Sequence, residues 1–123
     1  RYRRLEPYIT ALPLGTPINL CTASPEVLDS LVAGQRQFTL GRDNVADLRK
    51  ERCHPTLQEF ATALSNDERT ELIQGRVVDE KSNYFRSTVW VTIGTTQFTL
   101  YSLLYRTDRT HLVRPILRSF GTA

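Results

Sequence analysis

The spacing of apolar residues changes once along this chain, and that change predicts two regions of different structure. As far as Gly75, apolar residues recur every three or four positions, which is the spacing of one face of an α-helix. From Tyr84 onward they alternate with polar residues, as in a β-strand. We therefore predict an α+β fold, with a helical region in residues 1–75 and an antiparallel β-sheet in residues 76–123.

Start and stop signals define the first two predicted helices. Ser24 is a favourable N-cap for a helix from Pro25 to Ala33, and Gly34 ends that helix in a left-handed conformation. A second helix is predicted to begin at Asp43 or Asn44. Its residues divide into an inner face and a largely solvated face: Val45 and Leu48 inside, and Arg49, Lys50, Glu51 and Arg52 outside.

The spacing of a capping box, in which a hydroxyl and a carboxylate each bind an unpaired N–H of the first turn, occurs twice more. Thr56 with Glu59 predicts the start of a third helix, and Ser65 with Glu68 predicts the start of a fourth, which Gly75 ends. The third helix has an apolar stripe formed by Leu57, Phe60, Ala61 and Leu64.

Three strands are predicted in the second region, joined as a meander. They cover residues 84–93, 96–105 and 111–120, with a tight turn at 94–95, and Pro115 assigns the last strand to a sheet edge. The central strand is apolar on both faces: Phe98, Leu100 and Leu104 on one, and Tyr101, Leu103 and Tyr105 on the other. Such a sheet needs a cover, most simply a helix.

Composition and motifs give little support for catalysis. The chain has 123 residues, a net charge of +3 and only two histidines. Cys53 and His54 are adjacent, so their side chains point apart rather than within hydrogen-bond reach. We predict that the protein is not an enzyme. No apolar run is long enough to cross a membrane. Because the chain begins at Arg1 without methionine, we expect a fragment or a processed product, with any targeting element upstream.

Three further questions stay open on the residues alone. Cys21 and Cys53 would pair in an oxidising compartment and would be buried thiols in the cytosol. Calcium is possible at two oxygen-rich loops, although no EF-hand spacing is present: Asp79, Glu80 and Asn83, or Asp43, Asn44 and Asp47. Residues 18–34 also have the pattern of a helix-hairpin-helix entry, which binds DNA phosphates, but the closely spaced glycines of its hairpin are missing.

The order of these signals resembles one known family. "LEPYITALPLGTPINLCTASPEVLDSLV", followed by "TLQEF", "SNYF", "YSLLYR" and "RPILRSFG", is similar in sequence and order to the minor pseudopilin K family of the type II secretion system. The resemblance covers essentially the whole chain. It implies a helix-hairpin-helix or SAM-like region, part of an inserted α-domain, followed by the three-stranded sheet of a pilin-like fold.

The resemblance also implies a function and a location. Members are non-enzymatic proteins at the tip of the pseudopilus that bind minor pseudopilins I and J, and possibly the exported protein. They reside in the periplasm and are anchored in the inner membrane through an N-terminal helix that this chain lacks. Nucleic acid is not an expected partner. Calcium is known in the family, but its ligands cannot be assigned here. The alternative hypothesis is a nucleic-acid-binding helix-hairpin-helix module.

Two sets of site residues follow from the resemblance. The family has asparagine where this chain has Cys21, and the oxidising periplasm favours a disulfide between Cys21 and Cys53. One face of the sheet should pack on a helix, as pilin-like folds require. The other presents Tyr101, Leu103 and Tyr105, which we predict to bind the partner pseudopilins unless the helical region covers them.

Overall fold

The computed structural model of the chain describes residues 2–34 and 36–122, and the side chain of Thr122 is excluded. The chain divides into two compact units, Arg1–Ser82 and Asn83–Ala123, which we call the helical unit and the sheet unit. The fold is mixed helix and sheet, with several helices followed by a three-stranded antiparallel sheet, as predicted. Within the described residues, no helix is both long and apolar enough to span a membrane.

The helical unit is built from short helices and one pair of very short parallel strands. The helices are α1 Tyr2–Leu5, α2 Pro25–Leu31, α3 Gln37–Leu40, α4 Arg42–Arg49, α5 Leu57–Thr62 and α6 Asn66–Arg69. A 3₁₀ turn, Glu6–Tyr8, follows α1, and a π-turn, Thr70–Gln74, continues α6. Strand β1, Ile18–Asn19, pairs with β2, Val78–Asp79. Because of this pairing, residues 76–82 belong to the helical unit rather than to the predicted sheet region.

Three predicted helix starts are confirmed by their side-chain caps. The Ser24 hydroxyl accepts a hydrogen bond from the Val27 N–H at the start of α2. Both capping boxes are formed, at α5 and at α6. The ends differ slightly from the prediction, because α2 stops at Leu31, although Gly34 does adopt the left-handed conformation, with φ +71°. Gly75 ends the π-turn for another reason: a Cβ there would lie 2.3 Å from the Glu71 carbonyl oxygen.

The predicted start of the second helix is wrong. Neither Asp43 nor Asn44 caps it; α4 begins at Arg42, directly after the unpredicted helix α3 and the single residue Gly41. The carboxylate of Asp29, on α2, accepts hydrogen bonds from the N–H groups of Phe38 and Thr39 and so caps α3. Because this cap comes from a different helix, the spacing of residues next to α3 does not predict it.

The helical unit has a hydrophobic core of buried apolar side chains. Leu20, Leu28 and Phe60 are fully buried, and the Phe60 ring stacks on Phe38 with 6.0 Å between centroids. Our assignment of Arg49 to the solvated face is wrong. Its side chain is half-buried and donates hydrogen bonds to the carbonyl oxygens of Leu20 and His54, each at 2.7 Å. Burial lowers the pKa of Arg49 from its ordinary value.

The sheet unit is an antiparallel meander of three long strands. They are β3 Tyr84–Ile93, β4 Thr96–Arg106 and β5 Val113–Thr122, with β4 in the centre. Gly94, at φ +62°, makes the two-residue turn between β3 and β4. Pro115 lies on the edge strand β5, as predicted, and sits next to a bulge opposite Leu103 and Leu104. Strand β5 begins at Val113 rather than His111, because His111 belongs to the preceding turn.

Candidate partner-binding surface of the sheet

The register of the three strands assigns the apolar side chains of the sheet unit to two faces. We call one the aromatic face, formed by Tyr84, Trp90, Tyr101, Leu103, Tyr105 and Leu117. We call the other the aliphatic face, formed by Phe85, Val89, Val91, Ile93, Phe98, Leu100, Leu104 and Phe120. Each face therefore continues across all three strands rather than along β4 alone.

The predicted partner-binding residues lie side by side on the aromatic face, but they differ in exposure. Tyr101 is 45% exposed, and its ring lies beside Gly121 of β5. Leu103 and Tyr105 are half-buried. The ring of Tyr105 packs against the ring of Tyr84, with 5.1 Å between centroids. The Arg114 guanidinium carbon lies over the Tyr105 ring, 5.7 Å from its centroid. Tyr101 is thus the most accessible of the three, and Tyr105 is held in place by its neighbours.

Trp90 belongs to the same face and was not among the residues predicted to bind a partner. It lies on β3 opposite Thr99 of β4 and is 64% exposed. Large, exposed aromatic side chains of this kind often anchor protein interfaces. The sequence contains the information needed to find Trp90. The two-residue turn at 94–95 fixes the register of β3 and β4, and this register places Trp90 on the same face as Tyr101.

The aliphatic face, which we predicted to pack on a helix, is open to solvent among the described residues. Val91 is 47% exposed, Ile93 66% and Phe120 80%. Among the described residues, the buried side chains of the sheet unit are polar, Thr99 and Ser102, and the buried apolar side chains all belong to the helical unit. A contiguous apolar surface of this extent on a small domain is typical of an interaction site.

Charge separates the two units as well. Residues 83–123 contain five arginines and one aspartate, a formal charge of +4, and no lysine or glutamate. Residues 1–82 contain eleven basic and twelve acidic residues, a charge of −1. The mild positive charge of the whole chain is therefore concentrated in the sheet unit. A partner of this surface is expected to carry acidic groups.

In the helical unit, Cys21 and Cys53 form a disulfide. The bond joins the segment after β1 to the loop before α5 and leaves no free cysteine among the described residues. Cys53 therefore has no thiol that could act as a nucleophile beside His54. The Cys21 N–H donates a hydrogen bond to the Asn19 side-chain oxygen at 2.8 Å, so a neighbouring residue supplies a local cap.

His54 and Glu59 line an open cleft of about 200 Å³ in the helical unit. The two side chains are 3.0 Å apart, and Glu59 also pairs with Arg52 at 2.7 Å and accepts from the Thr56 N–H. Hydrogen bonds from Arg52 and from the Thr56 backbone lower the pKa of Glu59 to about 2. Through these contacts Glu59 completes the capping box of α5 and connects it to Arg52 and His54 in the preceding loop.

Several side chains of the two oxygen-rich segments considered for calcium make contacts within the chain. Asp47 pairs with Lys50 at 2.7 Å, and Asp79 accepts hydrogen bonds from the N–H groups of Glu80 and Lys81. Asn83 instead belongs to the sheet unit, where it donates to Asp108. Within the part of the chain that the structure describes, no three acidic, histidine or cysteine side chains converge in a way that could hold a metal ion.

Several basic residues of the helical unit also make contacts within the chain. Arg42 pairs with Glu26, Arg52 with Glu59, and Arg49 points into the fold. The segment between α2 and α4 forms helix α3 instead of a glycine-rich hairpin. The arrangement of N–H groups that cradles a phosphate in a helix-hairpin-helix motif is therefore not built by these residues.

A scan against models of known protein families found no match to this chain. A search of curated proteins likewise found no relative.

Proposed function

We propose that the chain is the C-terminal part of a minor pseudopilin K, a non-enzymatic component of the type II secretion pseudopilus tip. The single observation that carries this proposal is the sheet unit itself, which has complete strand pairing and apolar side chains exposed on both faces. A sheet of this kind needs covers on both sides, and a subunit of an assembly obtains them from other helices and other subunits.

In this proposal the two faces of the sheet have different partners. The aliphatic face packs on the long N-terminal helix of a pilin-like fold, which also anchors the full-length protein in the inner membrane. The aromatic face, with Tyr101 as its most exposed predicted contact, binds minor pseudopilins I and J. Aromatic and aliphatic side chains flanked by arginines have the composition of an interface anchor.

The disulfide supports the periplasmic location that the proposal requires. A bond between Cys21 and Cys53 persists in an oxidising compartment and is reduced in the cytosol. The segment that carries the family resemblance, residues 16–28, forms β1 and the capped start of α2 around this bond. No cofactor is required, and calcium remains part of the proposal only as an optional ligand.

The proposal is tested by co-purification of this chain with the periplasmic domains of pseudopilins I and J. Tyr101→Asp places a charge in the aromatic face and should abolish the complex while leaving the melting temperature nearly unchanged. Leu40→Asp is a matched control, because Leu40 is an exposed apolar residue of the helical unit and gains the same charge. A folded Tyr101→Asp protein that forms the complex at wild-type affinity would move the contact surface away from this face.

The alternative function, a nucleic-acid-binding module, is tested by titration with duplex DNA at about 150 mM salt. We expect at most weak association that falls steeply with added salt, because the closely spaced glycines of a phosphate-binding hairpin are missing from the sequence and Arg42 and Arg52 pair with acidic side chains. A submicromolar dissociation constant under these conditions would favour the alternative over the pseudopilin proposal.

A further inference from the structure

The two edges of the sheet are protected to very different extents. Strand β5 carries Pro115, a bulge and two arginines, Arg114 and Arg118, all of which hinder the addition of another strand. Strand β3 has ten residues in regular register, with no proline, lysine or bulge, and its only charged residue is Arg86. From Ser87 to Ile93 the edge is uncharged and rich in β-branched residues. Such an edge is a template for strand pairing.

The hydrogen-bond pattern shows which backbone groups of β3 face outward. The Arg106 N–H donates to the Asn83 carbonyl, which fixes the alternation of the β3–β4 ladder. The odd-numbered residues of β3 therefore bond to β4. The even-numbered residues direct their N–H and C=O groups to the free edge: Tyr84, Arg86, Thr88, Trp90 and Thr92. Among the described residues, no other strand pairs with this edge.

We propose that the β3 edge binds an extended, acidic segment of another polypeptide as a fourth strand of the sheet. The outward row of backbone donors and acceptors specifies an extended chain, since only a strand can bond to alternate residues along ten positions. Its side chains would continue the two faces of the sheet, with apolar residues beside Val89 and Val91. This inference rests on the edge alone and does not depend on the pseudopilin assignment.

Charge distinguishes the acidic segment from a second copy of this chain. The sheet unit has a formal charge of +4, and pairing two β3 edges would bring two such units together. Arg86 is the one charged side chain on the edge strand, so an acidic residue across from it gains an opposite charge, whereas a basic one is repelled. A strand with glutamates at its ends and alternating valine and threonine between them provides both the acidic residue across from Arg86 and the apolar residues beside Val89 and Val91.

The test uses the whole chain, labelled for NMR, and the synthetic peptide EETVTVTVEE, with KKTVTVTVKK as its charge-reversed match. Binding of the acidic peptide should slow hydrogen exchange at the amides of Arg86, Thr88 and Trp90. It should leave unchanged the amides of Val89 and Val91, which already bond to β4. This alternation is specific to strand addition, because a peptide lying on a face would not select every second amide.

A pair of variants at one position separates the backbone from the side chain. Thr88→Pro removes an outward N–H without removing a bond to β4, and should weaken peptide binding by at least about tenfold. Thr88→Val keeps the N–H and the branched shape and should bind within about twofold. If Thr88→Pro does not fold, Thr92→Pro, which also lacks only an outward N–H, replaces it.

Three results would overturn the proposal. One is unchanged exchange at the even-numbered amides of wild-type protein with the acidic peptide at about 1 mM. Another is equal binding of the lysine peptide, which would remove the acidic selectivity. The third is protection of the same amides without peptide that rises with protein concentration, because the edge would then pair with a second copy of the chain.

Discussion

The helical unit and the sheet unit differ in two properties: the regularity of their backbone hydrogen bonding and the burial of their apolar side chains. The helical unit has short, irregular elements, yet it closes a core around Phe60 and Leu28 and is cross-linked by a disulfide. The sheet unit has long, regular strands, yet its apolar side chains remain exposed on both faces. Regular secondary structure therefore does not show that a unit buries its own apolar side chains. The unit with the more complete ladder is the one whose composition requires a partner.

The sharpest test of this contrast is to delete one phenylalanine from each unit. Phe60→Ala removes a fully buried ring stacked on Phe38, so it should reduce the free energy of unfolding by about 3–5 kcal/mol. Phe120→Ala removes a ring that is 80% exposed and should change the free energy of unfolding by less than about 0.5 kcal/mol. Urea denaturation followed by circular dichroism measures both. A large loss for Phe120→Ala would mean that the sheet is covered within this chain.

The disulfide should stabilise the helical unit by nearly as much free energy as the Phe60 side chain does. On the chain-entropy model, closing a loop of 32 residues contributes about 3–4 kcal/mol, so reduction or a Cys21→Ser, Cys53→Ser double variant should lower the urea midpoint by a corresponding amount. Non-reducing mass spectrometry should first show one linked peptide pair. Two alkylatable thiols in periplasmically produced protein would contradict the disulfide and would weaken the proposed location.

Arg49 allows a similar comparison on a single helix. Arg49→Met removes the donors to the Leu20 and His54 carbonyl oxygens and should cost about 1–3 kcal/mol. Lys50→Met on the next residue removes only an exposed ion pair with Asp47 and should cost less than about 1 kcal/mol. Equal effects of the two changes in thermal melts would show that the internal hydrogen bonds of Arg49 contribute nothing beyond its charge.

Features encoded by neighbouring residues were predictable from the sequence. The caps at Ser24, Thr56 and Ser65 depend on groups within three positions of each other, and the register of β3 and β4 follows from the two-residue turn. The edge position of Pro115 follows from its missing N–H.

Features that depend on distant contacts were not predictable in the same way. Helix α3 is capped by Asp29 from a different helix, and Arg49 is buried because two carbonyl oxygens from other segments converge on it. On the candidate surface, alternation gave the row Tyr101, Leu103 and Tyr105. Strand order was needed to add Trp90 and to show that β3 is the less protected edge.

The smallest expected difference between the units is in their response to acid. Within the part of the chain that the structure describes, four carboxyl groups have a clearly lowered pKa, and all are in the helical unit: Glu26, Asp29, Glu59 and Glu68. For Asp29, burial raises the pKa, but hydrogen bonds from Thr39 and Phe38 outweigh it. The pKa of Glu59 falls furthest, from 4.5 to about 2, through Arg52 and the Thr56 N–H.

A folded-state pKa below the unfolded value means that Glu59 stabilises the fold above about pH 4.5 and that this contribution is lost as the pH falls toward 2. Its side chain is 38% exposed, so screening should keep the loss below about 1 kcal/mol. Glu59→Gln should therefore reduce stability at pH 7 and flatten its pH dependence between about 5 and 2, measured by urea denaturation. Glu71→Gln, an exposed carboxylate of the same unit, is the control and should leave the slope unchanged. If both variants keep the wild-type slope, the acid response comes from other carboxylates, and the Arg52–Glu59 pair is a surface contact without thermodynamic weight.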